Sequence, residues 1–150
     1  MTAFVTAGAG FLLAVLWFDL MFDVQALRLR DGELPESVVA STAAYYRRVT
    51  TAARPMNRLI AAVMVGTIVS IVVQLVRGDA PRWAAVVSLV LTAAAIGLAA
   101  AHTVPSAVRL GTRSDTLAGQ SCLARSILRD HLLCIAAVAV VLLVQLAFAR

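Results

Sequence analysis

Four long apolar runs, at about residues 3–24, 57–76, 83–104 and 131–149, constrain this chain more than any other feature. At 1.5 Å of rise per residue, each is long enough to cross a hydrocarbon core of roughly 30 Å. Inside lipid the backbone N–H and C=O groups find no water, so an isolated run of this length must bond to itself as a helix. The expectation is an all-α membrane protein, a single domain over 1–150 built as a bundle of four transmembrane helices. Composition agrees, since 61% of the residues are hydrophobic and the mean hydropathy is +0.91, well above the roughly 45–50% apolar content of soluble domains. The first run has neither the positively charged start nor the small-residue cleavage site of a secretory signal, so it is expected to stay in the mature chain.

The connections differ in character. RGDAPR at 77–82 holds Gly78 and Pro81 and predicts a tight antiparallel hairpin between the second and third spans. DGELPE, with Pro35 and Glu36, supplies a turn and then a helix start; residues 36–54 read as a juxtamembrane helix between the first and second spans. Tyr45, Tyr46, Arg47 and Arg48 suit a headgroup location there, and Pro55 marks a bend. In the third connection, Leu123, Ile127 and Leu128 oppose Arg125 and Arg129, a pattern that leads helically into the fourth span.

All thirteen basic residues are arginine, and against eight acids they give a net charge of +5. Arg28, Arg30, Arg47, Arg48, Arg54, Arg58, Arg109, Arg113, Arg125 and Arg129 flank the first and third connections, against Arg77 and Arg82 beside the second. This bias predicts a bacterial inner (plasma) membrane protein with the first and third connections in the cytoplasm and both termini outside. The positive charge is assigned to anionic headgroups, making membrane lipids the expected partners and excluding nucleic acid. Small residues recur at every fourth position, at Gly10 and Ala14, at Ala62, Gly66 and Ser70, and at Ala93, Gly97 and Ala101. They are expected to pack helices within the monomer, although the same faces would serve a homo-oligomer or a partner membrane subunit.

Polar residues inside the runs carry the functional question. WFDLMFDVQ at 17–25 places Asp19 and Asp23 one helical turn apart on one face. Counting from Ala3, Asp19 lies about 24 Å in and Asp23 about 30 Å in, so Asp19 is expected to be the buried one. His102, Asn57, Arg58, Asp130 and His131 fall at the same depth, and ionisable groups from four helices should converge in one layer. One reading is structural pairing, with Arg54 or Arg58 against Asp19 and Asp23. The other is a site, because ionisable groups at membrane depth are costly to retain. His102 is then a general base with Asp19 orienting its ring. His131 is the second catalytic candidate, and Asp19, Asp23, Arg58, His102 and Arg109 are candidate ligand-binding residues.

Pro105 in HTVP removes a helical hydrogen bond beside His102 and predicts either a widened helix or a helix exit. Gln74 and Gln145 are expected to bond between the second and fourth spans. Cys134 reads as a buried structural thiol. The cysteines and histidines lack metal-site spacing, so no metal site is assigned, and no phosphate loop or nucleotide fingerprint occurs, which leaves the cofactor unidentified.

Leu34, Pro35, Tyr46, Arg48, His102, Pro105, Arg109 and His131 together form a layout that resembles the anthrone-oxygenase-like family of small four-helix membrane proteins. The resemblance implies a bundle that binds an aromatic or polyketide-like substrate and oxidises it without a tightly bound cofactor. Three functions stay open at this level. The first is a non-enzymatic binding or accessory module for a lipid or partner subunit, the second a membrane oxidoreductase on a lipophilic aromatic substrate, and the third a metal- or haem-binding membrane subunit.

Overall fold

The computed structural model describes residues 1–28 and 32–148. Arg30 of the first connection and Ala149 of the fourth run lie outside the described residues. The described chain is helical throughout: α1 (Thr2–Asp23), a 3-10 turn (Val24–Arg28), α2 (Glu36–Arg47), a π-helical stretch (Arg48–Ala52), α3 (Arg54–Arg77), α4 (Arg82–Leu98), a second π-helical stretch (Ala99–Thr103), α5 (Val104–Thr112) and α6 (Leu117–Ala147). Four helical segments, Thr2–Leu27, Arg54–Arg77, Arg82–Thr112 and Leu117–Ala147, are long and apolar enough to cross a membrane.

Two boundaries differ from expectation. The third segment runs on to Thr112, and the fourth begins at Leu117, so most of the third connection is helix. Pro105 explains the first difference. Its missing N–H is absorbed by the π-helical stretch Ala99–Thr103 just ahead of it, a local widening that lets the helix continue past the proline. Thr116 caps α6 by accepting a hydrogen bond from the Gly119 N–H at 3.3 Å. From there the helix runs 31 residues, about 46 Å at 1.5 Å per residue, which exceeds a hydrocarbon core, and its buried residues extend from Gln120 to Gln145.

α1 packs on α6 and α3, α4 packs on α6 and α3, and α2 lies across α5 and α6. Two apolar cores result. At the end carrying the α3–α4 hairpin, Val5, Ala9, Ile71, Val138 and Val141 interlock. At the other end, which carries the first and third connections, Leu34, Val39, Tyr46, Leu110 and Ile127 form a second core. α2 contributes Val39, Ala43 and Tyr46, spaced to fall on one helix face. Three contacts pin its approach: the Leu34 N–H donates to Ser121 Oγ at 3.0 Å, Arg125 donates to the Gly32 carbonyl at 2.6 Å, and Arg113 pairs with Glu36.

The small residues expected to pack the bundle do not do so. A Cβ added at Gly10, Gly66 or Gly97 would meet nothing within 4 Å, and Ala62, Ala93 and Ala101 are exposed. The close approach is instead at Gly8, where an added Cβ would collide with Thr67 Oγ1 of α3. A four-residue repeat marks a face that permits close packing, and nothing in the repeat decides whether a helix turns that face inward.

The hairpin end is held by a polar network. Gln74 and Gln145 donate to each other at 3.0 and 3.1 Å, Gln145 also donates to Ser88 at 3.0 Å, and Gln74 to Thr2 at 3.1 Å. Both glutamines are buried. The expected interhelical bond is therefore present and reaches four helices. Gln145→Leu should lower the unfolding free energy by about 1–2 kcal/mol, above the average of about 0.6 kcal/mol for such bonds, because Ser88 and Gln74 lose partners together. Unfolding in mixed micelles measures it, and no change would mean that water or detergent already satisfies the pair.

Candidate functional site

Asp19 and Asp23 share a face of α1 as the spacing predicts, but Asp23 is the buried one, at 1% exposure, while Asp19 is part-exposed. Depth along the helix axis ignores sideways cover. α2 folds back over the end of α1 and lays Tyr46 on Asp23, leaving Asp19 at the edge of an internal space. The two tyrosines are adjacent on α2 and their targets lie one turn apart on α1, so each phenol reaches a different carboxylate. Tyr45 Oη donates to Asp19 Oδ1 and Tyr46 Oη to Asp23 Oδ1, each at 2.5 Å. Phe22 stacks on Tyr45 with ring centroids 3.9 Å apart.

The tyrosines therefore turn inward rather than toward the headgroups, while Arg47 and Arg48 remain exposed. Burial, reinforced by the hydrogen bond to Asp19, pushes the Tyr45 hydroxyl above the usual phenol range. Burial and the negative charge of Asp23 do the same for Tyr46. Both stay protonated and act as donors at neutral pH.

His131 on α6 completes the arrangement. Its Nδ1 lies 2.6 Å from Asp23 Oδ2. An ionised carboxylate only accepts, so Nδ1 carries the proton. Nε2 makes no hydrogen bond among the described residues, and the ring lines the internal space. Asp23 thus takes Tyr46 on one oxygen and His131 on the other, and needs no arginine.

His102 belongs to a second pair. Its Nδ1 lies 2.5 Å from Asp130 Oδ2, an atom that also accepts from Thr103 Oγ1 at 3.2 Å. Asp130 is fully buried, whereas the His102 side chain is 46% exposed. The proposed orientation of His102 by Asp19 is therefore incorrect. His102 and Thr103 belong to the π-helical stretch ahead of Pro105, whose widened turn brings both onto the same carboxylate.

Arg58 and Arg109 do not join the layer. Arg54 and Arg58 are exposed and form no ion pair among the described residues. Every buried residue of α3 lies in its hairpin half, so the end carrying the arginines stands away from the aspartates. Arg109 holds Asp115 through Nε at 2.8 Å and Nη2 at 2.5 Å on the surface, which keeps the Asp115 carboxyl below its ordinary range.

The space these groups border is a cavity of about 580 Å³, within the range of ligand pockets. It lies where the start of α3 stands off from α6. Its walls are Leu, Val, Ile, Met and Ala side chains from α1, α3, α4 and α6, and its polar end holds Asp19, Tyr45, Tyr46 and His131. Phe18, Met56, Val104 and Val108 line it and are also exposed on the outer surface, so the cavity opens sideways. Cys134 borders it as a buried thiol donating to the Ala95 carbonyl at 3.6 Å.

The tyrosines are the part of the site that sequence reasoning missed. Tyr46 follows Val39 and Ala43 at helical spacing, a signal that it belongs to the buried face of α2. Among the described residues no group of three His, Cys, Asp or Glu side chains is gathered closely enough to hold a metal ion. Comparison with protein-family models, with curated proteins and with solved structures gives no match.

Proposed function

We propose that this chain is a small integral membrane binding protein whose sideways-opening cavity takes a lipophilic molecule from the inner leaflet and holds its polar end beside Asp19, Tyr45 and His131. The observation that carries this reading is the cavity itself: about 580 Å³ of space with apolar walls, bounded at one end by hydrogen-bonded polar groups, among them the part-exposed Asp19–Tyr45 pair and the buried His131–Asp23 pair. Such a combination is the usual form of a small-molecule site. The arginine bias sets the orientation, with the connection end of the bundle in the cytoplasm of a bacterial cell and the cavity mouth at the inner leaflet. Lipids are the immediate partners, and the outward small-residue faces at Gly66 and Gly97 offer contact to a second copy or another membrane subunit.

The test is a binding measurement with Nile red, a neutral polarity-sensitive dye, on the purified protein in maltoside micelles. Ala61 lines the cavity yet is exposed, so Ala61→Phe fills the space without disturbing a packed core. The expected result is saturable dye binding that weakens by roughly ten-fold or more in Ala61→Phe, a loss of about 1.4 kcal/mol or more, with unchanged thermal unfolding. Binding that ignores the substitution would refute a cavity site.

A second reading adds proton transfer. The Asp23–His131 pair leaves Nε2 without a hydrogen-bond partner among the described residues on a ring that lines the cavity, and an imidazole oriented by a carboxylate is the arrangement of a general base. A phenol or an acidified C–H of a bound aromatic would be its target. That chemistry suits the oxidation of an anthrone to its quinone, with dioxygen reduced to water. Turnover of anthrone that disappears in His131→Gln while Nile red still binds would support it; equal turnover in both proteins would remove it.

A further inference from the structure

The polar end of the cavity is one-sided in its hydrogen bonding. Side chains there that carry a donor have largely spent it inward. Tyr45 and Tyr46 give theirs to the aspartates, Thr50 to the Tyr46 carbonyl at 2.7 Å, Asn57 one of its two amide hydrogens to the Val49 carbonyl at 2.7 Å, and Cys134 to the Ala95 carbonyl. Thr103 gives its hydroxyl hydrogen to Asp130. What remains for a guest beside the carboxylates is a set of lone pairs: Asp19 Oδ2, which has no partner among the described residues, and the tyrosine oxygens. The Thr92 hydroxyl, on the cavity wall, makes no hydrogen bond among the described residues.

Charge points the same way. Asp19 forms no ion pair among the described residues, and its one hydrogen bond is from a neutral phenol. A carboxylate at the edge of an apolar cavity without a counter-ion favours a cation from outside. The aromatic side chains of Phe18, Tyr45 and Tyr46 line the same space, and aromatic rings attract a cation. A guest carboxylate, phosphate or quinone carbonyl would instead meet lone pairs and a like charge.

The geometry points to a lipophilic amine, carrying its positive charge as an ammonium head beside Asp19 and its apolar body between α3 and α6, as the class of molecule this cavity takes. The assignment rests on the reading of the cavity as a binding site and goes further by giving the sign of the guest. Asp19 Oδ2 receives the ammonium N–H, with the phenol oxygen of Tyr45 beside it. Asp23 stays committed to Tyr46 and His131 and fixes the imidazole.

The experiment uses three guests of nearly one shape, naphthylethylamine, naphthylethanol and naphthylacetate, each displacing Nile red from the full-length protein in maltoside micelles near pH 7. In the unaltered protein the amine should displace the dye at a concentration roughly ten-fold or more below the alcohol, with the carboxylate weakest. In Asp19→Asn the ratio of amine to alcohol should fall to about one. Equal affinity of amine and alcohol in the unaltered protein, or preference for the carboxylate, overturns the inference while leaving the cavity reading intact. An amine preference that survives Asp19→Asn overturns the role of Asp19. Failure of Nile red to bind, or indifference of its binding to Ala61→Phe, instead defeats the cavity reading. Should Asp19→Asn fold poorly, the ratio in the unaltered protein still decides.

Discussion

Asp23→Ala should destabilise the protein by about 3–5 kcal/mol, the range for removing one member of a buried charged pair. The substitution strands two groups. His131 loses the acceptor at 2.6 Å and Tyr46 loses the acceptor at 2.5 Å, both inside the bundle. Each uncompensated buried donor costs about 1–3 kcal/mol. Tyr46→Phe should cost less, about 1.5–3 kcal/mol, because Asp23 keeps His131 and loses only one charge-assisted bond. Replacing all three, Asp23→Leu with His131→Leu and Tyr46→Phe, should recover much of the loss, since an apolar cluster of similar volume strands nothing. Unfolding free energies in mixed micelles measure the series. An Asp23→Ala protein within about 0.5 kcal/mol of the unaltered one would place it among ordinary surface substitutions and show that the pair does not hold the connection end together.

Gly8→Leu should cost about 1–3 kcal/mol or more, as overpacking does, while Gly10→Leu, two residues away, should cost little. The contrast arises because a Cβ at Gly8 runs into Thr67 Oγ1, and one at Gly10 meets open space. Four branched carbons at Gly8 would push α3 off α1 near Thr67, one of its few buried residues. Thr67→Ala in the Gly8→Ala background should restore part of the stability by removing the colliding hydroxyl. Equal costs at Gly8 and Gly10 would contradict the crossing of α1 and α3, as would a larger cost at Gly10. The same pair tests the cavity indirectly, because α3 forms one of its walls and its buried residues all lie in the hairpin half.

Much of the architecture was legible in the chain because it depends on quantities that are local. Run length gives the four apolar helices, Gly78 gives the hairpin turn with its left-handed φ of 70°, and the alternation of Leu123, Ile127 and Leu128 with Arg125 and Arg129 gives the helical lead into α6. The convergence of Asp19, Asp23, His102, Asp130 and His131 near one level was also legible, since rise per residue sets depth along a helix. Which of them touch was not. Depth is one coordinate, and pairing needs the rotation of each helix and the position of α2, neither of which is local.

The sequence by itself therefore determined that the chain forms apolar helices, how many, and at what level their polar residues lie, because hydrogen-bond satisfaction and helix rise act within a segment. Only the tertiary structure decided that Asp23 rather than Asp19 is buried, that Tyr45 and Tyr46 replace Arg54 and Arg58 as partners, and that Gly8 rather than Gly10 meets α3. Those outcomes follow from packing between segments distant in the chain: α2 folding over α1 supplies the phenols, and α3 standing away from α6 carries its arginines out of reach and leaves the cavity behind.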